Sequence, residues 1–194
     1  MKDKILIQKI GQIALPDFVY QDIETEPNRK KSQVHNPLNQ RGDVLNDSYA
    51  RVTRKEVDNF ESYYGDHNCY SVSWKYDHYV DLLPTEFLHE HNLAKPVNAM
   101  IRRQLPGYFF APHKDFYDNL VKKDVPTATD ENIRRLWIPL HDWEFGHALF
   151  VGNEVLTHWK AGEVYWFPGL VIHSGCNAGL HPRYTLLVYT TLAN

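Results

Sequence analysis

Trp159-Lys160-Ala161-Gly162-Glu163-Val164-Tyr165-Trp166-Phe167-Pro168-Gly169-Leu170-Val171-Ile172-His173-Ser174-Gly175 holds two short apolar runs, 163–168 and 170–174. Pro168-Gly169 separates them and Ala161-Gly162 leads in to the first. Short runs rich in Val, Tyr, Trp and Phe, bounded by Gly and Pro, read as strands joined by turns. The same pattern recurs at 97–105, 108–114, 134–141, 147–152, 154–159 and 183–191. Pro106-Gly107, Gly152-Asn153 and Gly175-Cys176-Asn177-Ala178-Gly179 are further turn signals. Eight runs at this spacing predict an all-β sandwich or barrel.

The first half of the chain is less regular. Residues 4–15 predict a strand or two ending at Pro16. Tyr70, Val72, Trp74 and Tyr76 alternate with small or charged residues, which predicts a half-buried strand. Pro84 to His91 reads as a helix with proline in its first turn. On that helix His89 and His91 point to different sides, so they cannot chelate one ion. Residues 21–60 are polar and weakly periodic, a long loop with a short helix near Arg54–Tyr63. From 28 to 55, Arg29, Lys30, Lys31, Arg41, Arg51, Arg54 and Lys55 face only Asp43 and Asp47. A solvated loop is the plain reading; an arm against an acidic substrate is the sharper one.

At 194 residues the expectation is one domain spanning 1–194. A 43% hydrophobic content is ample for a core, and a net charge of −3 gives no field for a polyanion. Cys69 and Cys176 make no disulfide framework and read as reduced thiols of a cytoplasmic protein. No signal peptide is recognisable, and no run approaches the roughly 18 apolar residues of a membrane span.

The chemistry-bearing residues cluster in the second half. His113-Lys114-Asp115 is followed sixty residues later by His173, and ten residues after that by Arg183. Two imidazoles and a carboxylate form the facial triad of non-haem Fe(II) sites, which leaves adjacent coordination positions open. Along an extended strand His113 and Asp115 face the same way, as do Arg183 and Thr185. A guanidinium fork beside a hydroxyl suits a carboxylate. Arg102 and Gln104 share a strand face, Arg135 precedes Trp137 on another strand, and His147 opens a third.

The order His113-x-Asp115, His173, Arg183-x-Thr185 resembles the Fe(II)/2-oxoglutarate-dependent dioxygenase superfamily. Arg134-Arg135-Leu136-Trp137-Ile138-Pro139-Leu140 and the run 159–167 resemble its prolyl-4-hydroxylase and aspartyl/asparaginyl β-hydroxylase branches. The resemblance covers residues 96–194. It implies a double-stranded β-helix (a cupin-like jelly roll) there, with flanking strands, loop and helices in 1–95. It further implies Fe(II) on His113, Asp115 and His173, and 2-oxoglutarate with its distal carboxylate on Arg183 and Thr185. Arg102, Gln104 and His147 are candidate further cosubstrate contacts; Arg135, Trp137 and Trp166 are candidate substrate contacts. Asn177 and His181 are candidate partners behind the ligands. The implied reaction consumes O2, releases succinate and CO2, and hydroxylates an unactivated C–H of a peptidyl Pro, Asp or Asn side chain. Phe110 departs from the prolyl hydroxylases, which often carry Tyr there. Zinc or manganese fits the same ligands. Three alternatives stay open: a small-molecule hydroxylase, a nucleic-acid demethylase, and a non-catalytic metal-binding barrel. The demethylases' second Arg position is Tyr189, and together with the net charge this argues against a nucleic-acid partner.

Overall fold

The computed structural model describes residues 6–15, 30–35, 71–75, 83–107, 109–115, 121–122 and 124–193, with 30–35, 71–75, 109–111 and 113 described by their backbone alone. The order of elements is β1 (Gln8–Gln12), β2 (Lys30–His35), β3 (Ser71–Lys75), α1 (Thr85–Glu90), β4 (Asn98–Gln104) and β5 (Phe109–His113). Then follow β6 (Ile133–Pro139), β7 (His147–Val151), β8 (Glu154–Leu156), β9 (Glu163–Trp166), β10 (His173–Asn177) and β11 (Arg183–Thr191).

All the pairings between these strands are antiparallel. They form a seven-stranded sheet, β1-β9-β6-β11-β4-β3-β2, and a four-stranded sheet, β5-β10-β7-β8. Counted from β4, the larger sheet runs sixth, third, eighth, first, and the smaller runs second, seventh, fourth, fifth. That connectivity is a double-stranded β-helix, a jelly roll. β1 extends the larger sheet at one edge, and β3 and β2 extend it at the other.

Strand periodicity sorts the side chains into two clusters. Ala99, Ile101, Leu136, Ile138, Leu186 and Val188 join Phe87 of α1 and Leu93 on one face of the larger sheet. Trp137, Tyr165, Leu187 and Tyr189 face the other way and pack with Leu149, Val151, Trp159 and Phe167. β11 is therefore buried along its whole length, with a core on each face. At the Gly162 turn φ is +79°, and a Cβ would lie 2.3 Å from the Ile13 carbonyl oxygen. The Ile13 N–H donates to the Gly162 carbonyl at 2.9 Å, so only glycine lets the N-terminal segment approach β9 this closely.

Several boundaries differ from the sequence expectation, each for a physical reason. The run 154–159 ends as a strand at Leu156, because His158 takes a φ of +59° and Trp159 turns inward to full burial. The run 170–174 begins only at His173 and continues to Asn177, through residues expected to turn. Pro168 starts a turn instead, closed by the Val171 N–H on its carbonyl at 3.1 Å. Lys30–His35, expected within a loop, is an end strand paired by backbone to β3; lysines are common on such edges. The helix expected near 54–63 and the thiol of Cys69 lie outside the described residues. No helix among the described residues is long and apolar enough to cross a membrane.

Candidate metal and anion site

The inner face of the larger sheet meets β10 and β7 around a pocket that is partly open to solvent. Arg102 and Gln104 of β4, Arg135 and Trp137 of β6, and Arg183, Thr185 and Leu187 of β11 line one side of it. His173, Ser174 and Gly175 of β10 and Leu149 of β7 line the other. The register explains this grouping: Arg183 stands opposite Gln104, Thr185 opposite Arg102 and Leu187 opposite Trp137. Inward-pointing residues of three neighbouring strands are thereby laid side by side.

His173 is 3% exposed, and its tautomer is fixed by its neighbours. Nδ1 lies 2.9 Å from the Val171 carbonyl, which can only accept, so Nδ1 carries the proton and Nε2 presents its lone pair. The Asp115 carboxylate Oδ2 is 3.5 Å from that Nε2. Asp115 does not reach this place by strand alternation, as expected. β5 ends at His113, and the Asp115 N–H donates to the Gly169 carbonyl at 2.9 Å, which docks the segment after β5 against the β9–β10 turn. His113 occupies the β5 position directly opposite His173 in the β5–β10 ladder, and its side chain is outside the described residues. The described residues contain no group of three or more His, Cys, Asp or Glu side chains placed to hold a metal.

Arg135 enters from β6 at 3% exposure. Its Nη1 is ion-paired to Asp115 Oδ2 and lies 3.1 Å from His173 Nε2, while its guanidinium carbon is 5.0 Å from the Phe167 ring centre. Burial draws the Arg135 pKa down to about 10, with the nearby Arg102 adding to the shift and Tyr189 opposing it. Arg183 is also drawn down to about 10, again chiefly by burial, and stays charged at neutral pH. Arg183 Nη1 donates to the Ala148 carbonyl at 2.8 Å, and its Nε has no hydrogen-bond partner among the described residues.

Polar side chains brace the wall behind the pocket. Gln104 Nε2 donates to the Gly175 carbonyl at 2.9 Å, which ties the two sheets together. The buried Asn177 amide donates to the carbonyls of Gln104 and His181, both at 2.8 Å, and its Oδ1 accepts the Gly179 N–H at 3.0 Å. Asn177 thus holds the turn that delivers Arg183. His181 itself faces solvent, with Nδ1 2.7 Å from Glu144. The sequence reading assigned Gly175 to a turn, whereas it lies within β10. An added Cβ there would lie 2.7 Å from Arg183 Nη2, so glycine is what lets the guanidinium cross β10.

Two expected pocket residues are elsewhere. His147 is buried, but it stacks near Trp159 and lies with Nε2 3.2 Å from the His181 carbonyl, outside the pocket wall. Trp166 follows Tyr165 on β9 and so faces the opposite side of the sheet, packed against the outer core with Arg134 over its ring at 4.7 Å. Arg102, Gln104, Arg135, Trp137, His173, Arg183 and Thr185 do come together.

No family model matches the sequence. No curated protein matches it either. Solved structures similar to it include a predicted oxalate decarboxylase from Thermotoga maritima, at 16% identity and TM-score 0.38, covering 63% of this chain and 82% of that one. A cupin-superfamily sugar phosphate isomerase from Silicibacter pomeroyi is 12% identical at TM-score 0.39, with 62% and 59% covered. The nickel complex of the non-heme monooxygenase ThoJ is 16% identical at TM-score 0.38, covering 48% of this chain and 43% of that one. At these values the likenesses bear on neither activity nor ligand.

Proposed function

We propose that the chain is an Fe(II)- and 2-oxoglutarate-dependent oxygenase that hydroxylates an unactivated C–H, with a peptidyl side chain as substrate. The observation that carries this reading is the meeting of His173 Nε2 and the Asp115 carboxylate at 3.5 Å, beside a pocket walled by buried Arg183 and Thr185. An unprotonated imidazole nitrogen and a carboxylate oxygen suit Fe(II), and equally Mn(II) or Zn(II). The Val171 carbonyl behind Nδ1 is the kind of partner that orients a ligating histidine. The seating of the Arg135 guanidinium on both atoms marks the place as one that attracts a cation. His113 would complete the ligand set from the opposite strand position.

Bound iron would supply activation of dioxygen, coupled to decarboxylation of the 2-oxo acid to succinate and CO2. The chain's own part is to bind and orient. Arg183 would pair with the distal carboxylate of the cosubstrate through its free Nε edge, with the Thr185 hydroxyl beside it. Gln104 and Arg102 border the same space and Trp137 and Leu187 give it apolar walls, which exclude water and keep the ion pair strong. The peptidyl substrate rests on the resemblance of 134–140 and 159–167 to the two hydroxylase branches.

The test is an anaerobic titration of purified protein with Fe(II) and then 2-oxoglutarate, followed by visible absorption. A charge-transfer band that is lost in His173→Ala and His113→Ala is the expected result. Metal binding with no band, and no succinate formed in air with candidate peptides, would overturn the oxygenase reading in favour of a non-catalytic barrel.

A further inference from the structure

Arg135 is the residue that the proposed chemistry leaves unexplained. Its guanidinium enters from the larger sheet, crosses the pocket wall and comes to rest on two atoms contributed by other elements: Oδ2 of Asp115, beyond β5, and Nε2 of His173, on β10. A neutral imidazole nitrogen has one lone pair. With Nδ1 holding the proton against Val171, that lone pair is the only acceptor His173 offers the pocket, and Arg135 Nη1 takes it at 3.1 Å. The same lone pair cannot serve a guanidinium and a metal ion at once. Asp115 differs, because a carboxylate has lone pairs for two partners.

We infer that Arg135 is a built-in competitor for the metal position, holding Asp115 and His173 together in the metal-free protein and yielding the His173 nitrogen when metal loads. The inference rests on the metal reading of Asp115 and His173 given above. It makes Arg135 a positioning residue that sets metal affinity from within the fold. In the metal-free chain it compensates the carboxylate and keeps both donors converged. During loading its attachment to His173 must break, and its positive charge opposes the incoming dication. The cost of that exchange falls on metal affinity, so the wild-type site is a weaker chelator than its donor atoms alone would make it. Phe167 confines the exchange, with its ring beneath the guanidinium and edge-on to the His173 ring at 5.1 Å.

Zn(II) is the appropriate probe, because it uses the same donors without redox chemistry. Its affinity is measured by calorimetric titration of wild-type protein, Arg135→Met and Arg135→Lys, with no cosubstrate. Arg135→Met should bind Zn(II) at least fivefold more tightly than wild type and, without metal, should melt at a lower temperature. Arg135→Lys should fall between. The wild type supplies a second check that does not depend on Arg135→Met folding. Guanidinium proton signals of Arg135, assigned by their loss in Arg135→Lys, should be slowly exchanging without metal and should shift and exchange faster on Zn(II) addition. Equal or weaker Zn(II) binding by folded Arg135→Met, or unchanged Arg135 signals in the wild type, would overturn the inference and leave the metal site standing. Undiminished Zn(II) binding by His173→Ala would remove the metal position itself, and both readings with it.

Discussion

Gly175→Ala should separate the anion site from the stability of the fold. Gly175 lies within β10 and needs no left-handed backbone, so alanine meets no conformational penalty there. Its new Cβ would lie 2.7 Å from Arg183 Nη2, 3.6 Å from Arg183 Cζ and 3.5 Å from the Ala148 carbonyl oxygen. The last two are ordinary contacts. The first falls about 0.7 Å short of 3.4 Å, where ordinary contact begins, so the guanidinium must move. Arg183 is 5% exposed and held at Nη1 by Ala148, so it can yield only by tilting away from its present position. Displacing a charged donor from a carboxylate forfeits about 1.5–3 kcal/mol, which is roughly a 10- to 100-fold loss of affinity. Against this, alanine restricts the unfolded chain and returns about 0.4–1 kcal/mol of stability. The variant should therefore keep its unfolding free energy, from urea titration, within about 1 kcal/mol of wild type while binding 2-oxoglutarate, titrated anaerobically with Mn(II), at least tenfold more weakly. Wild-type affinity for 2-oxoglutarate in a folded Gly175→Ala protein would refute the assignment of Arg183 to the carboxylate.

Two further outcomes follow from the polar frame. Asn177→Ala removes the amide that donates to the Gln104 and His181 carbonyls and the oxygen that accepts the Gly179 N–H, which should cost about 1–3 kcal/mol, or several degrees of melting temperature. A loss under about 0.5 kcal/mol would show that Asn177 does not hold this turn. His141 and His147 are both held below the ordinary histidine pKa, chiefly by burial, so the unfolded chain binds more protons as pH falls through 6.5. Their contribution to stability is complete above 6.5 and declines as the solution is acidified below it. Urea midpoints between about pH 7.5 and 5.5 should fall with acid in the wild type and fall less in the double variant His141→Gln, His147→Gln. Parallel profiles would sink this reading.

Much of the architecture is legible in the sequence because strands of this jelly roll are short, apolar and closed by Gly or Pro. The runs at 97–105, 134–141, 147–152 and 183–191 coincide closely with β4, β6, β7 and β11. Period-two reasoning also explains why Arg102 with Gln104, Arg135 with Trp137, and Arg183 with Thr185 share a pocket. It could not place Trp166 or His147, because which parity faces inward depends on the sheet a strand joins. Nor could it find the end of β10: Gly175 and Asn177 have the composition of a turn, yet they serve as the gap for Arg183 and as the clasp on Gln104. The way Asp115 reaches His173 was equally hidden, since it depends on a backbone hydrogen bond to Gly169, 54 residues away, and not on strand alternation. Lys30–His35 is paired by backbone to β3, and its largely polar composition gave no strand pattern to read.

The place of β11 bears on how the protein acquires its site. The last strand among the described residues lies in the middle of the larger sheet, between β6 and β4. While a ribosome is still making residues 183–191, that sheet has two unjoined parts, β1-β9-β6 and β4-β3-β2, each with an open edge facing the other. Contacts as distant as Asn98 with Tyr189 then close in one late event, of the kind that makes β topologies slow to fold. Arg183, Thr185 and Leu187 arrive with the same strand, so one wall of the pocket forms only when the sheet is sealed. A nascent chain therefore cannot capture the proposed cosubstrate early. Until β11 inserts, its gap exposes two strand edges to neighbouring chains, which makes this stretch the point at which misassembly would begin.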